Sequence, residues 1–226
     1  MTSEPDPIVH IVDDDREVRD SVRFLVESVG LAARCYDCAD TFLRDWHDTG
    51  PGVVLLDLRM PGASGLETLE TLPARNIHAP VIVMTGHGDV QAAVRALKLG
   101  ALDFLEKPCN DNLLIETLHH AIAADVKRRR EREKLQSIAS AAASLTDRES
   151  DVLELLIAGK SNKEAARVLG LSPKTVERHR ARIMRKFRVD SFARLVGDIT
   201  LIRQRMDVMK PVGGHDGRGG NGTTGP

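Results

Sequence analysis

The first 124 residues switch repeatedly between short β-branched runs and amphipathic stretches, a pattern that neither an all-helical nor an all-β chain produces. Residues 8–12, 32–36, 53–56, 80–84 and 102–105 are expected strands. Residues 16–29, 41–48, 65–72 and 90–99 are expected helices, with a last one starting near Asp111. In the first helix Val18, Val22, Leu25, Val26 and Val29 share one face, and Gly30 sits where a helix end favours positive φ. The runs Val53-Val54-Leu55-Leu56 and Val81-Ile82-Val83-Met84 are apolar on both faces, as central parallel strands are. The expected fold is therefore α/β, a doubly wound (βα)5 domain spanning residues 7–124.

The helix from Asp111 meets no stop signal at 124. Leu114, Leu118, Ile122 and Val126 keep helical spacing, and residues 127–134 are strong helix formers. A long connector helix over 125–144 is expected, with an Ala/Ser-rich hinge at 137–144. Residues 145–209 carry no strand pattern and read as an all-α domain of four helices. The glycine-rich stretch 210–226 is expected to be disordered. Charge divides along the same line: residues 1–124 hold 10 Lys+Arg against 20 Asp+Glu, and residues 125–226 hold 22 against 13. An acidic half and a basic half suggest different partners. No run approaches the roughly 18 apolar residues of a membrane helix. Residues 1–7 lack the apolar stretch of a signal peptide. Three cysteines make no disulfide framework, which fits a cytoplasmic location and no membrane partner.

Ligands of doubly wound sheets sit at the carboxyl ends of the strands. Those ends carry Asp13-Asp14-Asp15, Asp57, Thr85 and, after the fifth strand, Lys107-Pro108. Clustered carboxylates repel unless a cation joins them, and oxygen ligands with room for waters suit Mg2+. A metal on Asp13 and Asp14 lets a phosphoryl group approach Asp57, which then acts as nucleophile. Lys107 pairs with the phosphate oxygens and Thr85 hydrogen-bonds one of them. Taken singly, an acidic residue after a strand is a loop solubiliser; their joint order along the chain is what points to chemistry.

In the basic half, Thr146 and Glu149 have capping-box spacing. Two short helices joined by Gly170-Leu171-Ser172 make a helix-turn-helix signature, with Pro173 at the first position of the second. At about 100° per residue, Val176, Ile183 and Phe187 fall on one side of that helix. Lys174, Arg178, Ala181, Arg182 and Arg185 fall opposite. A basic face backed by an apolar one fits a helix in the major groove of double-stranded DNA.

Asp57-Leu58-Arg59-Met60-Pro61-Gly62, together with Asp13-Asp14, Thr85-Gly86-His87-Gly88-Asp89 and Phe104-Leu105-Glu106-Lys107-Pro108, resembles the bacterial receiver domain. Within that family it is similar to the FixJ branch of two-component response regulators. Leu145-Thr146-x-Arg148-Glu149, Ser161-Asn162-Lys163-Glu164 and Leu171-Ser172-x-x-Thr175-Val176-x-x-His179 resemble the LuxR-type helix-turn-helix. The resemblance implies a phosphorylation-activated transcriptional regulator whose Asp57 accepts its phosphoryl group from a sensor histidine kinase. It implies Mg2+ held by Asp13, Asp14, Asp57 and the backbone carbonyl of Arg59, and a switch pair of Thr85 and Phe104. Phe104 stands where many receivers have Tyr, so switching rests on ring packing rather than on a hydroxyl.

On the DNA side, the resemblance implies Thr175 and His179 near the DNA backbone and Lys174, Arg178 and Arg182 at or beside base edges. Glu177 departs from the common basic residue there. The implied partners are promoter DNA, RNA polymerase and a second copy of the chain, which dimerises on phosphorylation through the face near residues 90–118. The implied outcome is activation, with at most slow self-catalysed phosphotransfer and dephosphorylation. Two rival readings remain at this point: a small phosphatase using the Asp57 pocket on a free substrate, and a regulator that works unphosphorylated. Cys35-Tyr36-Asp37-Cys38 reads as an incidental pair, and Trp46 and Met60 as packing residues.

Overall fold

The computed structural model describes residues 5–86 and 90–208, with 202–208 described by backbone alone. His87, Gly88 and Asp89 of the fourth-strand motif, and the stretch 210–226 expected to be disordered, lie outside the described residues. The chain divides into two compact units, residues 1–131 and 132–226.

The first unit is a five-stranded parallel sheet of order β2-β1-β3-β4-β5, with strands Ile8–Val12, Ala32–Tyr36, Gly52–Asp57, Val81–Thr85 and Asp103–Glu106. The helices between them are α1 (Arg16–Ser28), α2 (Ala39–Asp45), α3 (Gly65–Thr71) and α4 (Val90–Lys98), followed by α5 (Asp111–Ala143). Every residue of β3 and β4 is buried, as their two-sided apolar pattern demands. One core lies on the α1/α5 side, around Ile11, Val26, Leu55, Leu114 and Leu118. The other lies on the α2/α3/α4 side, around Phe42, Leu56, Val83 and Ala96.

Local chemistry sets the helix ends. The Asp15 carboxylate caps α1 by accepting from the Glu17 and Val18 amides, and Ser64 with Glu67 forms a capping box on α3. Gly30 takes φ 80° after α1, a conformation that costs a side chain-bearing residue. Two differences from the expected elements are instructive. Helix α2 begins at Ala39 rather than Thr41, because Cys38 is extended and leaves Ala39-Asp40 free to start the first turn. Residues 137–143, expected to hinge, are continuous helix. Alanine is the strongest helix former, and Ile138 is buried among apolar side chains of the second unit.

That second unit packs the end of α5 with α6 (Asp147–Ile157), α7 (Asn162–Leu169), α8 (Pro173–Lys186) and α9 (Phe192–Val208). Capping boxes Thr146/Glu149 and Ser161/Glu164 start α6 and α7, and Gly170 at φ 65° ends α7. Glu149 is buried and receives Lys186 Nζ at 2.6 Å. The same ammonium donates to the Ser144 carbonyl at 2.6 Å. The bond from Lys186, then the Thr146 amide, pulls the Glu149 carboxyl down to about 2.

His10 on β1 is 3% exposed, with Nδ1 3.1 Å from the Tyr36 hydroxyl and its ring 4.6 Å from that of Trp46. Burial, helped by the nearby Arg34 charge, lowers its pKa to about 4. The folded state therefore requires neutral His10. Its contribution is whole above the unfolded value of 6.5 and is lost as pH falls from there toward 4, by up to about 3 kcal/mol. Thermal unfolding of wild type should lose stability between about pH 6.5 and 5 more steeply than that of His10→Leu. Parallel profiles would refute the assignment.

Candidate functional site

Parallel pairing brings the carboxyl ends of β1, β3 and β4 to one edge of the sheet. Asp57 is the last residue of β3, Asp13 follows β1, and Thr85 ends β4. Asp13, Asp57 and Thr85 are buried, whereas Asp14 is exposed. Asp13, Asp14 and Asp57 each offer a carboxylate oxygen within 4.8 Å of the others. Asp15, the third of the triplet, stands apart as the α1 cap.

Lys107 closes the pocket from the loop after β5. Its Nζ lies 2.6 Å from Asp13 Oδ2 and 2.9 Å from Asp57 Oδ1. Its backbone N–H donates to the Thr85 carbonyl at 2.7 Å, so the loop is laced to the end of β4. Burial pushes the Asp57 carboxyl above its ordinary range; Lys107 opposes this, Asp13 adds to it, and the Arg59 amide opposes it. Glycine at 65 is required by crowding: a Cβ there would lie 2.2 Å from the Asp57 carbonyl oxygen. Two participants escaped the sequence reading. Arg19 Nη1 donates to the Asp13 carbonyl at 2.6 Å, and the Asp13 carboxylate accepts the Asp15 amide at 3.0 Å. The spacing of Arg19 on α1, one turn past the cap, was the available signal.

Thr85 and Phe104 occupy the same face of neighbouring strands, since Thr85 pairs with Glu106 and Val83 with Phe104. Thr85 is buried and Phe104 is 41% exposed on the edge strand. The further exposed apolar residues Val90, Val94, Leu97, Leu102 and Leu113 lie on α4, β5 and α5 or at their ends.

In the second unit, α8 is capped by Ser172, whose hydroxyl accepts the Thr175 amide at 3.1 Å and lies 2.8 Å from the Thr175 hydroxyl. Val176, Ile183 and Phe187 are buried, as the helical angles require. Lys174, Glu177, Arg178, Arg182 and Arg185 are exposed, while Thr175 and His179 are half-buried. His179 Nδ1 is buried with no hydrogen-bond partner. Two cations leave the exposed face: Lys186 turns to Glu149, and Arg180 stacks 4.8 Å over the Phe192 ring.

The profile of the response regulator receiver domain matches residues 9–119, and that of the bacterial regulatory proteins of the luxR family matches 143–197. The chain is 45% identical over 188 residues to the transcriptional regulatory protein FixJ of Azorhizobium caulinodans, covering 83% of this chain and 89% of that protein. The chain belongs to the FixJ-like response regulators.

It is also 42% identical over 189 residues to the C4-dicarboxylate transport transcriptional regulatory protein DctR of Rhodobacter capsulatus, covering 83% of this chain and 96% of that one. Among solved structures, the response regulator StyR aligns with a TM-score of 0.81 at 40% identity, over 87% of this chain and all of that one. Full-length FixJ from B. japonicum aligns at 0.53 and 39%, over 90% and 99%. A FixJ-like response regulator joins a receiver to a LuxR-type DNA-binding domain and regulates transcription in a phosphorylation-dependent way. It is a regulator rather than a classical enzyme. Its receiver pocket has the donor chemistry of a Mg2+ site: three carboxylates within reach of one ion, one of them open to water. Among the described residues no helix is long and apolar enough to cross a membrane.

We expect the exposed cations of α8 to divide by role, Arg178 at a base edge and Lys174 beside it on phosphate. Arg178→Ala should relax base preference at one position by about 1–3 kcal/mol, as bidentate readout is lost. Lys174→Ala should weaken all sequences alike and flatten the salt dependence. Selection of bound fragments by each variant at two salt concentrations separates the two outcomes.

Proposed function

We propose that a sensor histidine kinase phosphorylates Asp57 and that the product dimerises and binds promoter DNA. The observation that carries this reading is the convergence of Lys107 on the buried pair Asp13 and Asp57 beside Asp14. A carboxylate oxygen of Asp57 attacks phosphorus as the P–N bond to the kinase histidine breaks, and the leaving imidazole takes the electron pair. Asp13, Asp14, Asp57 and the Arg59 carbonyl would hold Mg2+, which when bound supplies positive charge against the equatorial phosphoryl oxygens. Lys107 exchanges its carboxylate contact on Asp57 for a phosphate oxygen. The Thr85 hydroxyl donates to another. These residues also set the rate of any self-catalysed transfer or hydrolysis.

The added group brings about −1.5 to −2 charges and three acceptor oxygens. Drawing Thr85 toward them vacates space on the sheet face that it shares with Phe104, and the ring turns in from its exposed position. The packing of α4, β5 and α5 shifts with it, which biases a two-state equilibrium by differential contacts. The exposed apolar residues of the 90–118 face are then the dimer surface. Two copies of α8 reach half-sites about 34 Å apart, one helical turn of DNA. Lys174, Arg178, Arg182 and Arg185 meet phosphates and base edges, Glu177 reads cytosine or orients an arginine, and Thr175 and His179 flank the backbone. The regulator acts in the cytoplasm with RNA polymerase, as an activator.

The test is labelling of the full chain with acetyl phosphate and Mg2+. Asp57→Asn should take up no phosphoryl group and should show no rise in DNA affinity on treatment. Full labelling of Asp57→Asn would disprove the acceptor. Equal DNA affinity of treated wild type and variant would favour a regulator that works unphosphorylated.

A further inference from the structure

Asp125 lies on α5 beyond the residues that match the receiver family, yet its carboxylate is wholly out of solvent. Oδ2 accepts from the Gly52 amide at 3.1 Å and from Arg129 Nε at 2.7 Å. Arg128 pairs with the other oxygen. Arg129 then reaches Asp48, in the loop before β3, at 2.7 Å. These contacts have a cause in the sheet. Along β3 the Val54 amide donates to the Pro80 carbonyl, on the β4 side. The Gly52 amide, two residues earlier, points the same way, but β4 starts only at Val81. Asp125 fills the place of the missing strand. A Cβ on Gly52 would lie 2.5 Å from the Ile8 carbonyl oxygen, so β1 and β3 meet tightly here.

A buried carboxylate is costly unless its oxygens are fully engaged. Here one amide and two guanidinium groups offset the burial, and removing any of them weakens that compensation. We infer that Asp125, with Arg129, is a positioning residue that fastens the middle of α5 to the amino end of the strand whose carboxyl end carries Asp57. The inference rests on the proposed phosphorylation of Asp57 for its regulatory meaning. A shift of β3 at Asp57 is thereby passed to α5 at 125–129. The acidic and basic residues here act on the receiver itself, not as a generic solvated run.

The experiment uses the full chain, with Asp125→Asn and the milder Arg129→Gln, which leaves Asp125 bonded to Gly52 and Arg128. Three quantities are read: acetyl phosphate labelling, amide hydrogen exchange over 122–130, and the gain on phosphorylation in affinity for a genomic fragment selected by phosphorylated wild type. Both variants should label within about twofold of wild type, while their 122–130 amides exchange about 10-fold faster. The phosphorylation gain should fall by a similar factor of about 10. A role confined to stability would leave that ratio alone. Unchanged exchange in both variants, or a full gain in both, overturns the inference. Should wild type itself neither label nor gain affinity, the phosphorylation reading fails, and the exchange result alone decides whether the fastening exists.

Discussion

The Lys107 ammonium sits 2.6 Å from one oxygen of Asp13 and 2.9 Å from one of Asp57. Two carboxylates this close and this buried repel, and the lysine is what lets both be present in one pocket. Its position is not free: the backbone of the same residue is bonded to Thr85. The end of β4, the loop after β5 and the ends of β1 and β3 are thus held in one arrangement by one side chain and its own amide.

The DNA-binding unit solves an opposite problem, an excess of positive charge on a helix that must also pack. Its answer is to divide the cations by direction. Lys186 goes inward to Glu149 and the Ser144 carbonyl, and Arg180 lies over Phe192. Lys174, Arg178, Arg182 and Arg185 stay exposed. The inward lysine couples α8 to the α6 cap, so the recognition helix is oriented by the same bond that keeps Glu149 ionised. Helical spacing alone separates the two groups of cations, but it does not say that the inward ones find partners.

Much of this was legible in the residues. The two-period alternation, the apolar runs at 53–56 and 81–84, and the capping pairs are local signals, and local signals survive in a linear text. The carboxyl-edge set was legible for a related reason: in a parallel sheet all strand ends on one side meet, so naming the ends names the pocket. The hinge expected at 137–144 misread a run of Ala and Ser as weak, when Ile138 gives it a buried face. The role of Asp125 was not legible, because it depends on a backbone amide 73 residues away that the sheet brings near, whereas Arg19 lies only six residues from the carbonyl it holds.

Most of the elements, the strand ends that converge and the charged side of α8 follow from a periodicity or a cap within a few residues, and so could be read from the chain alone. Only the tertiary structure decided which charges are compensated and by what. That is so for Lys107 between Asp13 and Asp57, for Lys186 on Glu149, and for Asp125 on the open amide of Gly52. The physical reason is that burial and pairing of a charge depend on groups tens of residues away, whose distance is set by folding and not by the chain between them.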